Sequence, residues 1–198
     1  MADDVKAGLH HYLRSTREAL WWKVDGLGER ELRWPRTATG TNLLGIVRHC
    51  ANVELGYFGP TFGREWPDPE APGYVADDAY DTDPQADWWV DADTPADDVL
   101  AFHRRVADFA DETISSLPLD ARGRVPWWPE ERAEVTLHQV LVHVLTDLAR
   151  HAGHADILRE EVDGAAGMRE GNSNVPDGVE WSSYVDRLRG VAERFPRT

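Results

Sequence analysis

With a single cysteine, Cys50, in 198 residues, the chain can form no internal disulfide, and its stability has to come from packing. Lysine is nearly missing as well, with only Lys6 and Lys23. Lys and Arg total 21 against 36 Asp and Glu, a formal net charge of -15. Such a surface repels phosphate backbones and anionic headgroups, so neither nucleic acid nor an acidic membrane surface is an expected partner. No apolar run approaches the ~20 residues that span a bilayer. The opening MADDVKAGLHHYL lacks the basic-then-apolar order of a signal peptide. With one thiol and none of these signals, a cytoplasmic protein is the expectation. Internal repeats and parallel-strand patterns are also missing.

What is present is helical. Val5, Leu9, Tyr12, Leu13, Thr16, Leu20 and Val24 keep helical spacing from Asp3 to about Val24, and Gly26 and Gly28 end that run. Thr41 or Asn42 caps a second helix through Phe58, closed by Gly59-Pro60. Thr94-Pro95 reads as an N-cap with proline at the first helical position of a third helix, to about Ser116. Leu119–Glu134 is a connection with the makings of a short hairpin. Thr136 caps a long fourth helix to about Val162, ended by Gly164. A polar stretch, Gly164–Gly178, then leads to a short helix from Val179 to about Phe195.

The expected fold is therefore all-α: a four-helix bundle over about residues 3–162, with a C-terminal extension over 163–198, in one domain. A long crossover loop, Gly63–Asp93, joins the second and third helices. Its acidic excess, concentrated in Asp68–Asp98, reads as a solvated surface. Six of the nine tryptophans, Trp34, Trp66, Trp88, Trp89, Trp127 and Trp128, fall near inferred helix ends, and at least two are expected to line a cavity.

The chemistry concentrates in the fourth helix. His143, Asp147, His151 and His154 follow at spacings of four, four and three, which stack on one helix face. The apolar residues Val140, Leu141, Val144, Leu148, Ile157 and Leu158 flank that stripe and turn it inward or towards a cleft. Asp147 and His151 at i, i+4 can aim two metal-ligand side chains at one point. His49, in TNLLGIVRHCANVELGYF of the second helix, offers a third donor. Three ligands from two helices leave coordination positions open, as a catalytic metal requires. His154 is a candidate neighbour to the ligands or base for a metal-bound group, and His143 a reserve ligand. Cys50 points about 100° away from its neighbour His49 and reads as a buried structural thiol. His10, His11, His103 and His138 lack partners at ligand spacing and read as surface or packing residues.

TNLLGIVRHCANVELGYFG and LVHVLTDLARHAGHADILRE together resemble the DinB-like superfamily of four-helix-bundle proteins, from about Asp3 to Glu161. The nearest likeness is to the actinobacterial branch that contains mycothiol-dependent maleylpyruvate isomerase. The resemblance implies a divalent metal, zinc first or nickel, held by His49, Asp147 and His151, and the carboxylate among the donors widens the range towards iron and manganese. The chain departs at Asp147, where the relatives usually have His or Glu. It also implies mycothiol, or another low-molecular-weight thiol, as co-substrate for S-transfer or isomerisation of a small electrophile; His154, from its place three residues beyond His151, is the candidate catalytic residue beside that site. A metal-dependent hydrolase using metal-bound water, and a non-catalytic metal- or ligand-binding bundle, stay open beside it, as does a homodimer.

Overall fold

A computed structural model describes residues 2–196 and is 59% helix and 4% strand, an all-α fold. In chain order the elements are α1 (Ala2–Val24), α2 (Glu29–Arg33), α3 (Leu43–Phe58), a 3₁₀ turn (Pro60–Phe62), α4 (Ala79–Thr82) and α5 (Ala96–Ser116). Then come β1 (Arg122–Arg124), α6 (Glu130–Ala133), β2 (Glu134–Thr136), α7 (Leu137–Asp163) and α8 (Trp181–Ala192). The four long helices α1, α3, α5 and α7 make the bundle. Helix α7 packs on α1 and α3, α3 packs on α5, and a lighter α1–α5 contact closes the ring. Strands β1 and β2 pair antiparallel, with Gly123 opposite Val135, as the short hairpin before the fourth long helix.

Each bundle helix sends an apolar stripe into one core. Leu13 and Leu20 of α1, Leu44 and Val47 of α3, Val99 and Ile114 of α5, and Leu141, Val144 and Leu148 of α7 are all buried there. Each such side chain contributes roughly 1.5–3 kcal/mol by leaving water. The stripes are narrower than the sequence period suggested. Val5, Tyr12 and Ile157 fit it but face solvent, because a helix at the edge of a bundle buries only part of its circumference.

The ends of α3 and α7 follow local chemistry, and the start of the third long helix does not. Asn42 caps α3, its side chain accepting from Gly45 N at 2.8 Å. Thr136 and Gln139 form a capping box at α7, and Gly164 ends that helix in the left-handed region at φ 77°. Thr94 does not cap the third long helix as expected. Pro95 is extended there, the N–H of Ala96 is satisfied by Glu29 Oε1 at 2.8 Å, and Thr94 O accepts from Arg33. A carboxylate from α2 has replaced the local cap.

The core also holds a polar network. Arg17 donates to Glu54 through Nε at 2.8 Å and Nη2, and to Asp111 at 2.6 Å. His103 lies 3.1 Å from Glu54 Oε1 through Nε2 and accepts from Trp21 Nε1 at 3.2 Å through Nδ1. His103 is therefore neither a surface residue nor without partners, contrary to its reading from sequence spacing, which sees no neighbour on other helices. His10 also has a partner across the bundle, Asp111 at 2.8 Å.

Beyond α7 the chain returns to α1, where Lys23 donates to Gly167 O and Arg169 to Ser15 Oγ. Helix α8 ends one turn earlier than expected and buries none of its residues. No described helix is long and apolar enough to cross a membrane.

Candidate metal centre

Two helices supply the cluster. Asp147 and His151, one turn apart on α7, face the bundle interior beside Leu148 and Val144, and His49 projects from α3 opposite them. His49 Nε2 stands 3.9 Å from Asp147 Oδ2, and His151 Nε2 stands 3.6 Å from Asp147 Oδ1. The two imidazoles meet edge to face, their centroids 4.8 Å apart. One donor atom from each of the three residues lies within 4.8 Å of the others, a grouping that can hold a metal ion.

The distances are too long for hydrogen bonds. They are slightly wider than the roughly 3.4 Å between ligands that each bond one tetrahedral ion at ~2.1 Å. Asp147 Oδ2 and His151 Nδ1 are buried without hydrogen-bond partners. Burial pushes the Asp147 carboxyl up, but the neighbouring His151, His49 and His143 outweigh it and hold the group below the usual range. The site therefore presents a carboxylate and two imidazoles with unsatisfied acceptors, a donor set suited to zinc and to nickel, iron or manganese.

The crossover loop completes the site, and here the sequence reading needs correction. Asp87 is not part of a solvated acidic surface. It is buried, and its Oδ2 lies 2.7 Å from His49 Nδ1. The next residue, Trp88, stacks on the His49 ring at 4.0 Å and meets His151 edge-on at 5.2 Å. The loop is held there by α3. Arg48 donates to Gly73 O at 3.0 Å, to Ala86 O at 2.8 Å and to Trp89 O, so it serves backbone carbonyls rather than a substrate. Asn52 donates to Gly73 O and accepts from Val75 N, both at 2.9 Å. Gly45 lets the loop come close, since a Cβ there would sit 2.1 Å from Trp88 O. The only sequence signal for Asp87 was its place between Ala86 and a tryptophan pair, in a run dense with other aspartates.

Asp147 also opens onto a surface cleft of about 800 Å³, walled by Trp128, Val142 and His143, with Arg132 and Arg150 on its rim. Behind two of its lining residues stands Tyr57, to whose hydroxyl Trp128 donates at 3.1 Å and on whose ring His143 packs at 4.8 Å. His143 thus packs on Tyr57 and Trp128 and is not part of the three-residue grouping. His154 is exposed at the edge, its ring 5.3 Å from His151. Burial, then the charges of His151 and Arg150, hold its pKa below the ordinary histidine value.

Of the six tryptophans, Trp88 and Trp128 reach the site. Trp66 packs instead on Phe102 and Phe109, and Trp34 lies under Arg30. Cys50 is fully buried. Burial, then the carboxylates Glu54, Asp147 and Asp87, push its thiol well up, which suits a packing residue. Arg159 pairs with Asp163 and donates to the carbonyls at the end of α1.

Residues 8–164 match the family model described as Mycothiol-S-transferase, MST, a span that takes in the whole bundle core and stops at the residue ending α7. No curated protein matches the chain.

Proposed function

The chain belongs to the mycothiol S-transferase family, within the DinB-like superfamily, and we propose that it is a metal-dependent enzyme joining mycothiol to a small electrophile. The observation that carries the metal dependence is Asp147 Oδ2, a buried carboxylate oxygen without a partner, 3.9 Å from His49 Nε2. Leaving such an oxygen unpaired costs free energy that a cation would offset.

His49, Asp147 and His151 would hold the ion, zinc first, beside the cleft that Asp147 lines. A bound divalent ion supplies Lewis acidity that lowers the pKa of a thiol sulfur. The chain's own residues do the rest. His154, at the exposed edge beside His151 and with its pKa held below the ordinary histidine value, accepts the thiol proton on an imidazole nitrogen. Trp128 and Val142 give the electrophile an apolar wall. The sulfur forms its bond to the electrophilic carbon, and the leaving group departs with its electron pair. Cys50, buried and protonated, takes no part, which fits a borrowed thiol.

The test is metal analysis of purified variants, then thiol consumption with a chromogenic aryl chloride. His49→Ala and His151→Ala are expected to lose stoichiometric metal and activity while keeping their helical circular dichroism, because the apolar core carries the fold. Asp147→Asn should bind weakly, and Asp147→Glu should keep the ion. Full metal occupancy in His49→Ala would overturn the ligand set. Thiol-independent ester hydrolysis by the metal-loaded protein would replace the transferase with a hydrolase.

A further inference from the structure

The crossover loop runs through an acidic, solvent-facing stretch, yet one of its carboxylates is driven into the protein. Asp87 is 4% exposed and meets His49 Nδ1 at 2.7 Å. Burial, then the neighbouring Asp87 carboxylate, push the hydroxyl of Tyr80 in the same loop up. The residues that hold the loop, Arg48 and Asn52, flank His49 on α3, so one turn of helix both presents the imidazole and fixes its partner. Trp88 lies flat against the ring, at an interplanar angle of 20°, and blocks rotation out of that position.

A carboxylate offers only acceptors, so in neutral His49 the hydrogen sits on Nδ1 and the lone pair on Nε2. That lone pair is on the nitrogen 3.9 Å from Asp147 Oδ2. His151 has no such support, since its Nδ1 is buried and unpaired. The two imidazoles of the cluster are therefore unequal, one locked and one free.

We infer that Asp87 is the positioning residue of the site. From the crossover loop it fixes the tautomer and ring orientation of His49, so that the imidazole meets a cation with its lone pair already aimed. This rests on the metal site proposed above. A carboxylate behind a metal-bound histidine typically adds ten- to a hundred-fold to affinity by this route.

The experiment reads the tautomer and the affinity separately. Long-range ¹⁵N–¹H correlation spectra of the metal-free protein at pH 8 report the His49 tautomer, its signals being assigned by their loss in His49→Gln. Competition with a chromogenic chelator gives the zinc dissociation constant. The wild type should show the Nδ1–H form. Asp87→Leu, which fills the space without an acceptor, should lose that preference and bind zinc ten- to a hundred-fold more weakly, with unchanged helical circular dichroism. Asp87→Asn, closer in shape, should fall between, and Asp87→Glu should recover part of the affinity. A role confined to loop packing would lower thermal stability while leaving tautomer and dissociation constant at their wild-type values, and that result in Asp87→Leu and Asp87→Asn would overturn the inference. An Nδ1–H tautomer that depends on Asp87, in a wild type with no affinity for zinc, would uphold the lock on His49 and sink the metal reading instead.

Discussion

Replacing Gly45 by alanine puts the packing that carries the crossover loop under direct strain. A Cβ at this position meets Trp88 O at 2.1 Å, Trp88 C at 2.9 Å and Asn42 Nδ2 at 3.1 Å. Two of these atoms are backbone, so no side-chain rotation relieves them. To restore ordinary contact the loop has to retreat by about 1.3 Å in a close-packed interior. Alanine's better helix propensity returns up to ~1 kcal/mol. Against it stand an overpacking cost of roughly 1–3 kcal/mol and weakened bonds from Arg48 to the loop carbonyls, each worth about 1.5–3 kcal/mol when intact. The net expectation is a loss of about 2 kcal/mol.

The displacement also falls on the site. Trp88 stacks on His49 at 4.0 Å and Asp87 bonds it at 2.7 Å, so Gly45→Ala should weaken metal binding without touching a ligand. Gly153 on α7 provides the opposite sign. Nothing lies within 4 Å of a Cβ built there, and Gly153→Ala should stabilise by roughly 0.5–1 kcal/mol through propensity alone. Urea unfolding followed by circular dichroism, with the slope unchanged between variants, decides it through the midpoints. Equal midpoints for Gly45→Ala and Gly153→Ala would refute the reasoning.

Two other outcomes follow from the buried network. His103→Ala should cost about 2–4 kcal/mol, because it opens a cavity and strips partners from Glu54 and Trp21, while metal content stays at the wild-type level; a thermal midpoint within a degree of wild type would contradict this. Glu54 governs the acid limb of stability. Burial pushes its carboxyl up, but Arg17 and His103 outweigh it and hold the folded value below the ordinary 4.5. Its contribution is then complete above pH ~4.5 and lost as the pH falls through the folded value. Thermal melts of the wild type should drop steeply below that point. Glu54→Gln should start lower at pH 7 and lose less between pH 5 and 3, and parallel curves would count against the assignment.

How much of this protein its sequence determined depends on the range of each interaction. The long helices were legible because amphipathic period and caps act within a turn or two: Asn42 reaches Gly45, Thr136 reaches Gln139, and Gly164 takes the left-handed turn itself. The Asp147–His151 pair was legible for the same reason, since a spacing of four on one helix fixes a shared face whatever lies opposite. His49 lies on another helix, so its residue type made it a candidate third donor, the likeness of two motifs to a family supported it, and no local spacing could place it opposite the pair. The tertiary structure alone decided the partners. Arg17, Glu54 and His103 sit on α1, α3 and α5, no local spacing joins them, and only when the helices pack do all three find partners. Asp87 reads as one more solvated aspartate until Arg48 and Asn52 draw its loop onto α3 and the missing side chain of Gly45 lets it close. Helix period and capping are set by neighbouring residues along the chain. The acceptor or donor that a buried charge finds is set by which distant backbone arrives beside it, and no local pattern encodes that arrival.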